Sequence, residues 1–397
     1  MTPEQARRLL SPEGRAAVAL AADLDLSSAA RLRAAEQVRA AAGPELGPLA
    51  LEQALLKARA AAKHPRGAEL WWTADALEQA SSAPVAAWRA RRWDGPVLDL
   101  CCSVGGDLLA LPAGSTGVDL DEARLLLARE NAAVLGRDVR LVRADVTLLV
   151  PRGDVFADPA RRSGGRRTFD PRQYAPPLDL VLGWRASVRS LGVKVAPGVD
   201  HEALPDDVET EVVSLHGEVK EAVLWAGAAR RGARRTATLL PSGAVLVERP
   251  VAAPAVRPPG GFLLEPDGAV VRAHLVAQLA DDVGGWLLDP TIAYVSADEP
   301  VPTPFGRWYA VREVLPFSLK GLRSRLRALD AGPLTVKKRG TAVEPEELRR
   351  RLGLTGRVPV TVVLTRLAGR QSALVVDPLP AQPAEDAPHG LHPGADA

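Results

Sequence analysis

Four aspartates stand where short apolar runs end. Asp99 sits in Val97-Leu98-Asp99-Leu100, Asp119 closes Gly117-Val118, Asp145 follows Val142-Arg143-Ala144, and Asp158 follows Val155-Phe156-Ala157 and precedes Pro159. If each run is a strand, these carboxylates gather at the carboxyl edge of a parallel sheet, where open α/β folds bind ligands. A single strand-end aspartate is ordinarily a turn residue or a helix N-cap. Three in order, at Asp99, Asp119 and Asp145, point instead to one shared ligand. Between the first two lies Cys101-Cys102-Ser103-Val104-Gly105-Gly106, a turn of small residues that lets the backbone approach that ligand closely. The G-x-G-x-x-G fingerprint is missing, which disfavours a nicotinamide cofactor. Asp119, 20 residues after Asp99, occupies the place of a ribose-binding acid, whose carboxylate can accept from both hydroxyls. Asp121 is its near rival, and Asp145 is placed to meet an adenine edge. Asp158-Pro159 makes a rigid turn. Acceptors held there can bind an amino group, orient it and help remove its proton as it attacks a methyl.

The elements that must position these residues follow from periodicity. Residues 1–88 read as helical, with Thr2, Pro3 and Gln5 forming a capping box. From Pro96 the texture changes to strands at Val97–Leu100, Gly117–Leu120, Val139–Arg143 and Val155–Ala157. Helices are expected at Asp107–Leu111, Glu122–Leu135 and Leu178–Leu191, then a strand at Val193–Ala196. Such alternation predicts a parallel sheet. Arg234–Leu240 and Ala244–Glu248 read as a closing hairpin. The Pro/Ala-rich run 250–259 reads as a linker. Beyond it, strands are expected at Phe262–Leu264, Trp308–Leu315, Leu334–Lys337, Val358–Leu364 and Ser372–Val376, with helices at Ala269–Leu279, Leu319–Leu329 and Pro345–Leu352. The expected domains are a helical region over 1–88, a cofactor domain over 89–250, a small α/β domain over 256–377 and a disordered tail over 378–397.

Composition narrows the classes. With 47% hydrophobic and 25% charged residues among 397, the chain is globular and long enough for two or three domains. A net charge of +2 gives no overall basic field, so any nucleic-acid site must be built from local clusters. Only seven of the 50 basic residues are lysine. Because Ala, Gly and Pro are also abundant, that bias reads as coding composition. The two cysteines, Cys101 and Cys102, are adjacent, which rules out a disulfide framework and fits a reducing cytoplasm. No signal peptide and no membrane span are expected, and no His/Cys/carboxylate set has metal-ligand spacing.

From Pro96 to Pro159 the chain resembles a class I S-adenosylmethionine-dependent methyltransferase. The loop Asp99–Gly106 is similar to the cofactor loop of RNA methyltransferases that modify uracil or the cap guanosine, and Asp158-Pro159 resembles the catalytic Asp/Asn-Pro-Pro motif. Leu77-Glu78-Gln79-Ala80-Ser81-Ser82, Asp158-Pro159-Ala160-Arg161-Arg162 and Thr335-Val336-Lys337-Lys338-Arg339-Gly340 together resemble bacterial methyltransferases with a THUMP-like C-terminal domain. The resemblance implies an α/β fold. It would comprise a Rossmann-like class I methyltransferase domain, an N-terminal helical region and a small C-terminal α/β THUMP-like domain. It implies S-adenosylmethionine as cofactor, with Asp99, Cys101, Ser103, Gly105, Asp119 and Asp145 in its site and Asp158 with Pro159 catalytic. The sequence departs from the pattern at Cys101 and Ser103, where glycines are usual, and at Ala160, where a second proline is usual. Phe169 or Tyr174 could supply base stacking after a loop, or the site has no stacking residue.

Methylating carbon 5 of a pyrimidine needs a thiolate nucleophile. Both cysteines lie in the cofactor loop, which disfavours that chemistry; transfer to a nucleobase nitrogen in RNA (tRNA or rRNA) needs no cysteine and is the expected activity, with an oxygen acceptor left open. Arg161, Arg162, Arg166, Arg167 and Arg172 surround the Asp158 turn, with Gly164–Gly165 making it pliable. Lys337, Lys338 and Arg339 lie in the C-terminal domain. Such forks and points of charge suit phosphates, so Arg161, Arg162, Arg166, Arg167, Lys337, Lys338 and Arg339 are the expected RNA-binding residues. The alternatives are a small-molecule or protein methyltransferase and a non-catalytic RNA-binding protein with a degenerate cofactor fold. A cytoplasmic monomer is expected.

Overall fold

The computed structural model describes residues 1–160, 162–163, 166–167 and 170–380, and side chains throughout except at 161–169. The chain divides into two compact units. The first is Met1–Thr210 with Lys220–Gly232, and the second is Glu211–Val219 with Ala233–Ala397.

The first unit begins with five helices, α1 (Pro3–Leu10), α2 (Pro12–Ala22), α3 (Arg31–Ala60), α4 (Ala74–Gln79) and α5 (Ala83–Ala90). Thr2 and Gln5 form the expected capping box on α1. Helix α3 is bent at Gly43, whose left-handed φ of 81° precedes Pro44. Leu9, Val18, Val38, Leu46 and Leu56 pack with Trp71, Trp72 and Leu77 against Val104, Ala123 and Leu127. The helical region is therefore continuous with the core beneath the cofactor loop.

The sheet of this unit uses β1 (Leu98–Leu100), β2 (Thr116–Asp119), β3 (Arg140–Arg143), β4 (Asp154–Ala157), β7 (Ser190–Val195) and β9 (Glu218–Gly227). Helix α6 (Glu122–Leu135) links β2 to β3. A small hairpin, β5 (Arg162–Ser163) and β6 (Arg166–Arg167), and helix α7 (Leu178–Gly183) lie between β4 and β7. The parallel order is β3-β2-β1-β4-β7, and β9 pairs antiparallel with β7. Strand order reverses between β1 and β4, so the crevice at their carboxyl ends is the topological switch point where such sheets bind ligands.

The expected strands and α6 appear at or within a few residues of their predicted places. Two expected helices change, and two strands are additional. The helix expected over Leu178–Leu191 ends at Gly183 and a single 3-10 turn, because Ser190–Val195 is buried along its whole length as a strand. The helix expected over Asp107–Leu111 is one 3-10 turn, Leu108–Ala110, with Pro112 barring its extension. Strands β8 (Glu209–Leu215) and β9 were not anticipated.

The second unit carries the expected hairpin, β10 (Arg235–Leu240) with β11 (Ala244–Val247). Its larger sheet comprises β12 (Phe262–Pro266), β13 (Trp286–Leu287), β14 (Val295–Ala297), β15 (Gly306–Pro316), β16 (Ala331–Lys338), β17 (Val358–Leu367) and β18 (Arg370–Pro378). The order is β13-β14-β12-β15-β18-β17-β16, antiparallel except for the parallel β16–β17 edge. Helices α8 (Gly268–Arg272) and α9 (Val276–Asp282) stand where one was expected, and α10 (Leu319–Ala328) and α11 (Pro345–Leu352) where two were. Leu322, Leu326, Leu348 and Leu352 bury their side chains against Val362, Leu364 and Ala373. Residues 381–397, most of the expected tail with its His389 and His392, lie outside the described residues. Among the described residues no helix is long and apolar enough to cross a membrane.

Candidate active site

Asp99 lies on β1 at the switch point and is 0% exposed. Neither of its carboxylate oxygens has a hydrogen-bond partner among the described residues. Burial, then the Asp107 and Asp158 carboxylates, pushes this acid well above the usual carboxylate range, against the pull of Arg89 and Lys194. Asp99 lines a cavity of about 50 Å³ with Cys101, Ser103, Gly106, Asp107, Asp119 and Asp158.

The loop after β1 takes the shape that glycines would favour. Cys101 (φ 66°), Ser103 (φ 52°) and Gly105 (φ 88°) all have left-handed backbones. Two side-chain-bearing residues thus hold a conformation that costs each about 1–2 kcal/mol. Asp119 braces this loop. Its Oδ2 accepts from the Ser103 amide at 2.9 Å and its Oδ1 from the Asp121 amide at 2.9 Å. The rival Asp121 is the N-cap of α6, accepting from the amides of Ala123 and Arg124. Burial foremost, then neighbouring carboxylates, raises both the Cys101 and the Cys102 thiol, so neither is poised as a thiolate.

Asp119 also borders a second cavity, of about 340 Å³, together with Cys101, Leu120, Asp145, Val146 and Tyr174. Cys101, Asp119, Arg124 and Ala160 are common to both cavities, which makes them two lobes of one site. Asp145 caps a 3-10 turn through the Thr147 amide at 2.9 Å and hydroxyl at 2.7 Å, and these bonds lower its carboxyl. Tyr174 is buried, and its hydroxyl accepts from the Ala196 amide at 3.4 Å.

Asp158 follows β4 in a pinned turn. Its amide donates to the Leu100 carbonyl at 3.1 Å, and Ala160 and Ala175 exchange backbone bonds beyond Pro159. The Asp158 side chain, 24% exposed, accepts from the Lys194 ammonium, which is 3% exposed. Lys194 also reaches Asp107 at 3.5 Å, the Ser81 hydroxyl at 3.3 Å and the Gln79 carbonyl at 3.4 Å. Arg89, equally buried, bridges Asp107 and Glu221 and donates to Ser81 at 2.9 Å. Burial alone would raise the Asp107 acid; Arg89 and then Lys194 outweigh it and hold it low.

Ser81, Arg89, Asp107, Lys194 and Glu221 were not among the expected site residues. The one local sign was a lysine inside the apolar run Leu191–Val195. Ser81 lies within the Leu77–Ser82 motif, and its hydroxyl and the Gln79 carbonyl both enter the network.

The residues present fit S-adenosylmethionine. Four buried or partly buried acids, Asp99, Asp107, Asp158 and Glu221, face two cations, Arg89 and Lys194, and the orphaned Asp99 awaits a positive partner. A sulfonium and an ammonium supply that charge. The larger lobe, with Asp119 and Asp145 at its wall, has the acceptors and the apolar contacts for a nucleoside.

Of the expected RNA-binding residues, Arg161 lies outside the described residues. Arg162, Arg166 and Arg167 are described only as hairpin backbone, and Gly164, Gly165 and Phe169 lie outside. In the second unit, Lys337 pairs with Glu265 at 2.7 Å and Arg339 stands over the Tyr294 ring at 5.5 Å. Both line a cavity of about 750 Å³ with Arg307 and Ser242. Lys338 is exposed and pairs with Glu344 at 2.7 Å. Among the described residues no cluster of three or more His, Cys, Asp or Glu could hold a metal ion.

Residues 306–378 match the family described as THUMP domain-like, and residues 2–60 match a domain of unknown function. An uncharacterized S-adenosylmethionine-dependent methyltransferase, found in two strains of Mycobacterium tuberculosis, is 44% identical over 335 residues, covering 81% of this chain and 93% of the relative. A crystal structure from Porphyromonas gingivalis W83, described as that of a methyltransferase, shares the fold with a TM-score of 0.69 at 22% identity, covering 85% of this chain and 92% of that one.

Proposed function

The chain belongs to the S-adenosylmethionine-dependent methyltransferases, and from that premise we propose that it methylates a nucleobase nitrogen in RNA, tRNA or rRNA. The observation that carries this reading is the Asp158 carboxylate, fixed at the switch point and facing the same cavity as Asp99 and Asp119. Bound S-adenosylmethionine supplies a methyl group made electrophilic by its sulfonium. Asp99 holds the cofactor's cationic end. Asp119 accepts from the ribose hydroxyls while its two backbone bonds keep it aimed, and Asp145 meets the adenine edge. Ser103 and Gly105 bring the loop backbone against the methionine part, and Cys101 fills the junction between the two lobes.

Asp158 would accept a hydrogen bond from the target amine and take its proton as the nitrogen–methyl bond forms and the sulfur–methyl bond breaks, its electron pair leaving on the sulfur of a neutral thioether. Pro159 keeps that carboxylate from swinging away. The surplus of acids over Arg89 and Lys194 stabilises the positive charge that develops on an attacking neutral nitrogen. Thiols kept un-ionised by burial argue against carbon-5 chemistry through a cysteine adduct. The THUMP-like match and the cations of its unit, Lys337, Lys338 and Arg339, support RNA as the partner. Arg161, Arg162, Arg166 and Arg167 follow the catalytic turn in sequence and would guide the phosphates.

The test incubates the full chain with methyl-labelled cofactor and total RNA from a strain lacking the gene, followed by nucleoside analysis. Label in one N-methylated nucleoside is expected, with kcat about 100-fold or more lower in Asp158→Asn. Label absent from RNA, with cofactor binding intact and transfer to a protein or small-molecule fraction, overturns it.

A further inference from the structure

Asp158, read here as the proton acceptor, lines one cavity with two other acids, Asp99 and Asp107. The ammonium of Lys194, on β7, touches Asp158 directly. This lysine is buried and is held by four groups from three other segments. They are the Gln79 carbonyl at the end of α4 and the Ser81 hydroxyl just beyond it, Asp107 directly after the cofactor loop, and Asp158 after β4. Arg89, the other buried cation, is committed to Asp107 and Glu221.

We infer that Lys194 is a positioning residue for methyl transfer: it fixes the Asp158 carboxylate and holds it in the ionised form that accepts the target's proton. Lys194 acts through Asp158. It donates to Oδ2 and offsets the field of Asp99, Asp107 and Glu221. Burial disfavours the ammonium, but Asp158, Asp107 and Glu221 together outweigh burial and keep Lys194 charged. The same attraction acts on the Asp158 carboxylate. The inference rests on the reading of Asp158 as the proton acceptor, and it adds a residue that the motif pattern does not include.

Two measurements test it. In infrared spectra, Lys194→Met at neutral pH is expected to gain the carbonyl stretch of a protonated carboxylic acid, and Lys194→Met with Asp158→Asn is expected to lose it. In the labelled-RNA assay, the acid limb of the kcat–pH profile is expected to move up by roughly 1–3 pH units in Lys194→Met, the usual effect of losing an opposite charge in contact. Lys194→Arg keeps the charge and displaces it, so the acid limb should stay in place while kcat falls about tenfold. That variant keeps the test open if Lys194→Met does not fold. No new infrared band in folded Lys194→Met overturns the inference, as does native kcat in Lys194→Arg. RNA left unlabelled by the native chain overturns the RNA reading instead, and the infrared comparison, which needs no acceptor, still decides the role of Lys194.

Discussion

At the scale of single residues, Asp99 carries the sharpest consequence. Burial and the neighbouring carboxylates raise its acid well above the ordinary range. The folded chain therefore keeps a proton that the unfolded chain releases above about pH 4. As pH climbs from that value through the raised one, stability from this group is lost. Asp99→Asn removes that loss and should raise the melting temperature of the free protein at neutral pH. The same change deletes a charged partner, so cofactor affinity should fall about 10- to 100-fold, the worth of a charge-assisted hydrogen bond. In the native chain, cofactor affinity should rise with pH through the raised value, with a proton released on binding. Calorimetric titration in buffers of different ionisation enthalpy measures that proton, and Asp99→Asn should abolish it. Ser103→Gly relieves a left-handed side-chain-bearing residue. Allowing for glycine's greater freedom when unfolded, it should add roughly 0.5–1 kcal/mol in chemical denaturation. The strand-end aspartates were legible in the sequence because chain-local spacing marks them. Arg89, Asp107, Lys194 and Glu221 were not, because each is defined by partners far along the chain, 132 residues apart for Arg89 and Glu221.

At the scale of elements, α6 does more than connect two strands. Its buried Asn131 accepts from the Trp71 amide at 2.7 Å and donates to the carbonyls of Trp71 and Val104, both at 3.0 Å. One amide thus ties the end of the N-terminal helical region to the cofactor loop. Within the helical region itself, Lys63 donates to the carbonyls of Glu78 at 2.8 Å and Ala80 at 2.9 Å. Asn131→Ala strands three buried backbone groups and should cost about 2–4 kcal/mol in denaturant unfolding, with weakened cofactor binding. The parallel strands and α6 were readable because their apolar runs and N-cap are local signals. Strand β8 was hidden by its own charges. Glu209, Thr210 and Glu211 break any apolar run, yet all are buried. Arg92, 117 residues away in sequence, satisfies Glu209 at 2.8 Å.

At the scale of the whole molecule, the RNA reading makes a prediction about salt. Binding of a tRNA pool to the full chain should weaken steadily as salt rises. Lys338→Ala should weaken it across sequences and reduce the salt slope by about 1. The change should barely alter stability, because an exposed pair such as Lys338–Glu344 is worth at most about 1 kcal/mol. Loss of fold in that variant, or a slope that does not move, would count against Lys338 as a phosphate contact. The charge network imposes a different constraint, on how the enzyme is made. Asp107 leaves the ribosome long before Lys194 and Glu221, by on the order of ten seconds at ordinary translation rates. Until those late residues arrive, the nascent chain holds Arg89 and its acids out of balance and cannot seal them from water. The proposed site is thus completed only when β7 and β9 have been made, and no N-terminal fragment released during synthesis can carry a complete one.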